Sequence, residues 1–145
     1  MTSVGLVVAA HGNLAGELTK VARMIMGDQL PVGTVQLDLD TNLDGLYDTM
    51  LAAIDEADNG EGVLVLIDLF GGTPSNAAAL CIRQRNCAVV SGVSLPMLLE
   101  AVMAAENELS LEGLAQVAAQ AGHSGIVDVR ERLRSQTAKE QTGNE

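Results

Sequence analysis

The sequence predicts an α/β fold: an open, mostly parallel sheet with helices on both faces. Three observations carry this. A short β-branched apolar run, Val4–Ala10, opens the chain, and apolar runs then alternate with helically spaced segments. The strongest run, Val63–Ile67, is apolar at every position, as strands buried on both faces are.

Val4–Ala10 is too short for a buried helix and is followed at once by His-Gly-Asn, so it reads as a strand. Leu14, Leu18, Val21, Met24 and Ile25 then recur at helical spacing up to a stop at Gly27, which predicts a helix over Leu14–Met26. After a Pro31-Val32-Gly33 turn, Val35–Asp38 reads as a second strand. Leu46, Met50, Ala53, Ile54 and Ala57 share one face of a helix over Leu43–Ala57. The third strand lies within Gly62–Leu69 and ends at Asp68. Thr73–Arg85 follows as a helix, with Thr73 as N-cap and Pro74 at the first helical position, where a missing N–H costs nothing. Ala88–Val90 is a fourth strand. Helices are expected over Pro96–Ala105 and Leu111–Gln120, and Ile126–Val129 reads as a last short strand. One domain is expected over residues 1–134, with a polar, disordered tail over 135–145.

The chain has 145 residues and is 48% apolar, enough for one substantial core. Tyr47 and Phe70 are its only aromatic residues, so that core is aliphatic, with Met24, Met26, Met50, Met97 and Met103 expected as gap-fillers. A formal charge of −11 argues against nucleic acid and anionic membrane, which are bound through Lys and Arg. The opening residues lack the basic, then apolar, pattern of a secretory leader, and no apolar run approaches a bilayer span, so a soluble, cytoplasmic protein is expected. Cys81 and Cys87 have neither metal-type nor redox-motif spacing and read as ordinary thiols.

Two loops carry the residues that suggest chemistry. The first strand ends Ala9-Ala10-His11-Gly12-Asn13, and the third runs into Asp68-Leu69-Phe70-Gly71-Gly72-Thr73-Pro74-Ser75-Asn76. In a flavodoxin-like strand order of 2-1-3-4 these loops meet beyond the carboxyl ends of adjacent strands, where ligands bind in open α/β sheets. A carboxylate at Asp68 accepting from one imidazole nitrogen would fix the tautomer of His11 and leave the other nitrogen nucleophilic. The same carboxylate would stabilise the cationic ring after attack on phosphorus. Gly71 and Gly72 let amides approach a phosphate, the helix beginning at Thr73 offers free N–H groups, and Gly12 leaves the imidazole face open. Thr73 suits either a cap or a phosphate donor.

His11-Gly12, the Asp68–Asn76 segment and Ser91-Gly92-Val93-Ser94-Leu95-Pro96-Met97-Leu98 after the fourth strand, in that order and spacing, resemble the mannose-type IIA (EIIA) components of the bacterial phosphoenolpyruvate-dependent sugar phosphotransferase system. The resemblance runs from about Val4 to Val129. It implies that HPr phosphorylates His11, that Asp68 holds the imidazole, and that the phosphoryl group passes to a IIB component and then to a sugar entering through a membrane permease. It implies no metal and no organic cofactor. It further implies a homodimer with an exchanged antiparallel edge strand, mapped onto Ile126–Val129. The IIB partner is expected on a separate polypeptide, and membrane association only as a peripheral contact at the inner face through the permease complex. Sugar identity lies outside such a chain, whose partners are proteins.

Other readings fit less well. A dihydroxyacetone-kinase phosphotransfer subunit would carry His-Ser and Met-Gly-Ser loops, which are absent. A phosphohistidine mutase or phosphatase would place Arg before the histidine, where Ala10 stands. A dinucleotide site would need Gly-x-Gly-x-x-Gly in the first turn. A regulatory phosphoprotein, whose phosphorylation state controls a partner, uses the same residues and is the main alternative. Asp40–Gly45 imitates the start of a calcium loop, but the twelfth position is Leu51 in place of a bidentate Glu, so Thr41 or Asn42 is expected to cap the next helix. His123 reads as a helix-end residue.

Overall fold

The computed structural model describes residues 3–38 and 40–143. Four parallel strands, β1 (Gly5–His11), β2 (Val32–Leu37), β3 (Val63–Ile67) and β4 (Cys87–Ser91), form one sheet in the order β2-β1-β3-β4. Helices α1 (Leu14–Met26), α2 (Leu43–Ala57), α3 (Gly72–Gln84), α4 (Leu95–Ala105), α5 (Leu111–Ser124) and α6 (Val129–Gly143) complete the described chain. Among the described residues no helix is long and apolar enough to cross a membrane.

Side chains of a strand alternate between faces, so the two central strands feed two cores. Leu6, Val8 and Ala10 of β1 join Leu64 and Leu66 of β3 beneath α1, α4 and α5. Val7 and Ala9 join Val63, Val65 and Ile67 beneath α2 and α3. Burial on both sides explains why the third strand has no polar position. It also leaves Gly5 no room for a side chain, because a Cβ there would collide with the Ala57 carbonyl oxygen at the end of α2.

β1 and β3 are adjacent, but their connections leave in opposite directions across the sheet. The first crosses through α1 to β2, and the other through α3 to β4, on opposite faces. That divergence opens a crevice between the carboxyl ends of β1 and β3.

Several boundaries differ from expectation. β2 begins at Val32, because Gly33 continues the strand opposite Val7 and does not turn. The Asn42 side chain accepts from the Gly45 N–H at 2.8 Å and caps α2. The expected strand at Ile126–Val129 is absent from this single chain: residues 126–128 join no strand, and Val129 opens α6. The expected irregular tail is likewise helical through Gly143, while Asn144 and Glu145 lie outside the described residues. The reason is local. Asp128 Oδ1 accepts from the Glu131 N–H at 3.0 Å, in an Asp-x-x-Glu cap ahead of residues with good helix propensity.

Candidate active site

His11 is the last residue of β1, and Asp68 follows directly on β3. Because these strands are paired, the two side chains meet at the mouth of the crevice. Asp68 Oδ2 accepts the His11 backbone N–H at 2.9 Å, and His11 Nδ1 lies 3.0 Å from Oδ2 and 3.1 Å from Oδ1. An ionised carboxylate only accepts, so Nδ1 carries the proton and Nε2 keeps its lone pair. The imidazole is 33% exposed and the carboxylate 15%, so the nucleophilic ring reaches solvent while its orienting group is shielded. Partial burial pushes the Asp68 carboxyl up, but the His11 N–H, the His11 ring bond and, when the ring is protonated, its charge together outweigh burial and hold it below its ordinary value.

The residues expected to face a phosphate lie, apart from Gly12, in the loop after Asp68. Gly71 (φ 142°) and Gly72 (φ 63°) both occupy backbone regions that L side chains rarely adopt, as does Gly12 (φ 60°) beside His11. These two glycines start α3 one residue earlier than expected: Gly71 is the N-cap and no side chain caps the helix, so Thr73 lies inside the first turn and is not the cap. The amides of Gly72 and Thr73 sit where a helix supplies no carbonyl partner, at the positive end of its dipole, while Pro74 contributes no N–H. Gly12 is tied back by its N–H to the Leu37 carbonyl at 3.2 Å. The Thr73 side chain is exposed.

Sequence reasoning missed two features. The Ser75 hydroxyl accepts from the Gly71 N–H at 2.5 Å, closing the loop from within the first turn of α3. A hydroxyl four residues past a glycine pair was the available signal. The second is acidic: on the β2 side of His11 a cleft of about 470 Å³ is lined by His11, Gly12, Leu37, Asp38, Asp40 and Thr41, with no Lys or Arg among the described residues that line it. Asp38 and Asp40 arrive there because β2 is the other neighbour of β1. A larger cleft, about 550 Å³, lies at the opposite end of the sheet around Gly5, Pro31 and Gly33, and the described residues that line it include neither histidine nor cysteine. Among the described residues no group of three or more His, Cys, Asp or Glu is arranged to hold a metal ion.

This geometry can present a neutral imidazole nucleophile next to a helix N-terminus able to receive an oxyanion. Residues 5–118 match the family model EIIA-man, described as the PTS system fructose IIA component. The chain is 33% identical over 125 residues to the PTS system mannose-specific EIIAB component of Escherichia coli K12, covering 86% of this chain and 39% of that protein. It thus spans about two fifths of that relative's length. It is 30% identical over 112 residues to the fructose-specific EIIA component of Bacillus subtilis, covering 77% and 76% of the two chains. The crystal structure of a phosphotransferase system component EIIA from Streptococcus agalactiae superposes with a TM-score of 0.78 at 27% identity, covering 88% of this chain and 98% of that one.

Proposed function

The chain belongs to the mannose-type IIA family of the sugar phosphotransferase system, and from that premise we propose that it carries a phosphoryl group on Nε2 of His11. The Nε2 lone pair attacks the phosphorus of phospho-HPr, the donor's P–N bond breaks, and the donor imidazole keeps that electron pair. The His11 ring becomes cationic, and Asp68 stabilises it through Nδ1–H. Attack on that phosphorus by a IIB component reverses these changes and returns His11 to its neutral form.

The observation that carries this reading is the pairing of His11 Nδ1 with Asp68 at 3.0 Å, which reserves Nε2 for chemistry. Gly12, Gly71, Gly72 and Thr73 border the phosphoryl group: Gly72 and Thr73 offer it backbone amides and the Thr73 hydroxyl, while Gly12 and Gly71, whose N–H groups are taken by Leu37 and Ser75, leave it room. The protein works in the cytoplasm, as a homodimer, and meets the membrane only through the permease complex. It needs no cofactor.

Phosphate transfer from phosphoenolpyruvate through purified enzyme I and HPr tests the proposal. Acid-labile, alkali-stable label is expected on the wild type and not on His11→Ala. Equal label on both, or none on the wild type with a matched HPr, overturns the role of His11. Label that reaches His11 but never leaves for a IIB protein would turn the reading toward a regulatory phosphoprotein.

A further inference from the structure

Between Asp68 and α3 the chain has little to hold it. Leu69 and Phe70 are 63% and 78% exposed, so little packing fixes either. Gly71 and Gly72 follow, both exposed, and glycine gives up more conformational freedom on ordering than any other residue. Among the described residues, the hydrogen bond that ties this loop is the one from the Gly71 N–H to the Ser75 hydroxyl, at 2.5 Å.

That bond runs the opposite way from the caps of the other helices. At α2, α4 and α5 the N-cap side chain of Asn42, Ser94 or Ser110 accepts the amide three residues on, from Gly45, Met97 or Gly113. At α3 the N-cap is Gly71, which has no side chain, and the residue three on is Pro74, which has no N–H. Here the helix supplies the acceptor and the loop the donor. Side chains of a helix tilt toward its N-terminus, so the half-buried Ser75 reaches back to Gly71 from the first turn. The loop is ordered without using up the amides of Gly72 and Thr73.

Those amides matter because the loops around His11, residues 11–14, 38–42 and 68–75, contain no Lys or Arg. On the phosphocarrier reading above, on which this inference rests, a phosphoryl group on Nε2 meets only neutral donors from these loops. A point charge attracts from any direction, whereas an N–H bond weakens steeply once misaligned. We propose that Ser75 is a positioning residue for phosphoryl transfer: its hydroxyl oxygen holds the Gly71 N–H, fixes the Gly71-Gly72 turn, and so aims the Gly72 and Thr73 amides at the phosphoryl group. Ser75 acts through Gly71 and not on the phosphoryl group itself. The bond needs only a lone pair on the γ oxygen, which threonine supplies and alanine does not.

The test uses the full-length chain with purified phospho-HPr. In rapid-quench transfer, Ser75→Ala should lower the maximal rate about tenfold and leave the half-saturating donor concentration within about twofold, and Ser75→Thr should restore most of the rate. In amide NMR spectra, phosphorylation should move the Gly72 and Thr73 proton resonances downfield in the wild type, and by less than about half as much in Ser75→Ala. These shifts are read in the folded species, so lost stability does not obscure them. Full amide shifts in Ser75→Ala, or a rate defect that Ser75→Thr leaves unrepaired, overturn the proposal while His11 stays the carrier. A higher half-saturating concentration at an unchanged maximal rate overturns it in favour of a role in donor docking. Absence of label from His11 of the wild type overturns the phosphocarrier reading itself.

Discussion

Asp68 Oδ2 receives two donors from one residue: the His11 main-chain N–H at 2.9 Å and the ring Nδ1 at 3.0 Å. One carboxylate therefore fixes both the end of β1 and the orientation of the imidazole it bears. Replacing it by an amide offers Nδ1 an N–H as readily as a carbonyl and removes the negative charge that stabilises the cationic ring. Asp68→Asn is expected to slow phosphorylation of His11 by about 100-fold or more while the fold survives. Rapid-quench transfer from phospho-HPr measures this. A rate within a few-fold of wild type would show that His11 needs no orienting carboxylate.

The same pairing makes stability depend on pH. The folded-state pKa of Asp68 lies below its unfolded value of about 3.8, despite the opposing push of burial, because the His11 donors favour the carboxylate. Its stabilisation is thus complete above the unfolded value and is lost as pH falls through the folded one. Thermal melts of wild type and Asp68→Asn should differ near neutrality by about 1.5–3 kcal/mol, the range for hydrogen bonds to a charged group. The difference should close in the acid range below the unfolded value. A gap constant across that range would mean that the carboxylate contributes no charge-dependent stability.

The architecture was legible because β1 and β3 advertise burial on both faces and the amphipathic stripes of α1 and α2 are regular. The meeting of His11 with Asp68 followed from strand order alone. The errors lie where short-range chemistry overrides pattern. Pro31-Val32-Gly33 looks like a turn, but Gly33 is accommodated in β2, an edge strand. Thr73 has the composition of an N-cap, yet Gly71 and Gly72 reach conformations that let the helix begin before it. Ile126-Val127-Asp128-Val129 has the residues of a strand, and the cap from Asp128 to Glu131 turns its end into a helix. Asp38 and Asp40 were not placed beside His11 because a site read from one strand pair omits the strand on the other side.

Glycines in this fold are required for two separable reasons, and substitution distinguishes them. At Gly12 and Gly71 an added Cβ meets nothing within 4 Å, so the cost of alanine is backbone strain alone. That cost is about 1–2 kcal/mol for left-handed Gly12 and about 1–3 kcal/mol for Gly71, whose φ of 142° and ψ of 159° suit glycine. At Gly5 φ is ordinary, but the Cβ runs into backbone at Ala57. Gly5→Ala must therefore shift α2 from the sheet, and its loss should reach about 3 kcal/mol. Denaturant melts should show Gly5→Ala destabilised with transfer chemistry preserved in the folded fraction, and Gly71→Ala impaired in transfer even when fully folded. Equal effects of the two variants on transfer would contradict this division.

Cys81 on α3 and Cys87 at the start of β4 are both buried, in the core beneath α2 and α3. Burial pushes the Cys81 thiol up to about 11, with the neighbouring Cys87 adding to the shift, and burial raises Cys87 as well. Thiolate is the reactive form, so neither side chain should react with a disulfide reagent in the native protein at mildly alkaline pH. Both should react at once in denaturant. Between these limits the reaction reports opening: if α3 and β4 separate from the sheet only on global unfolding, both thiols label together, at a rate that falls as the protein is stabilised. Labelling of one cysteine ahead of the other would reveal a local opening of α3, the helix whose first turn borders His11. Such an opening would connect the mobility of that core to the loop between Asp68 and Thr73.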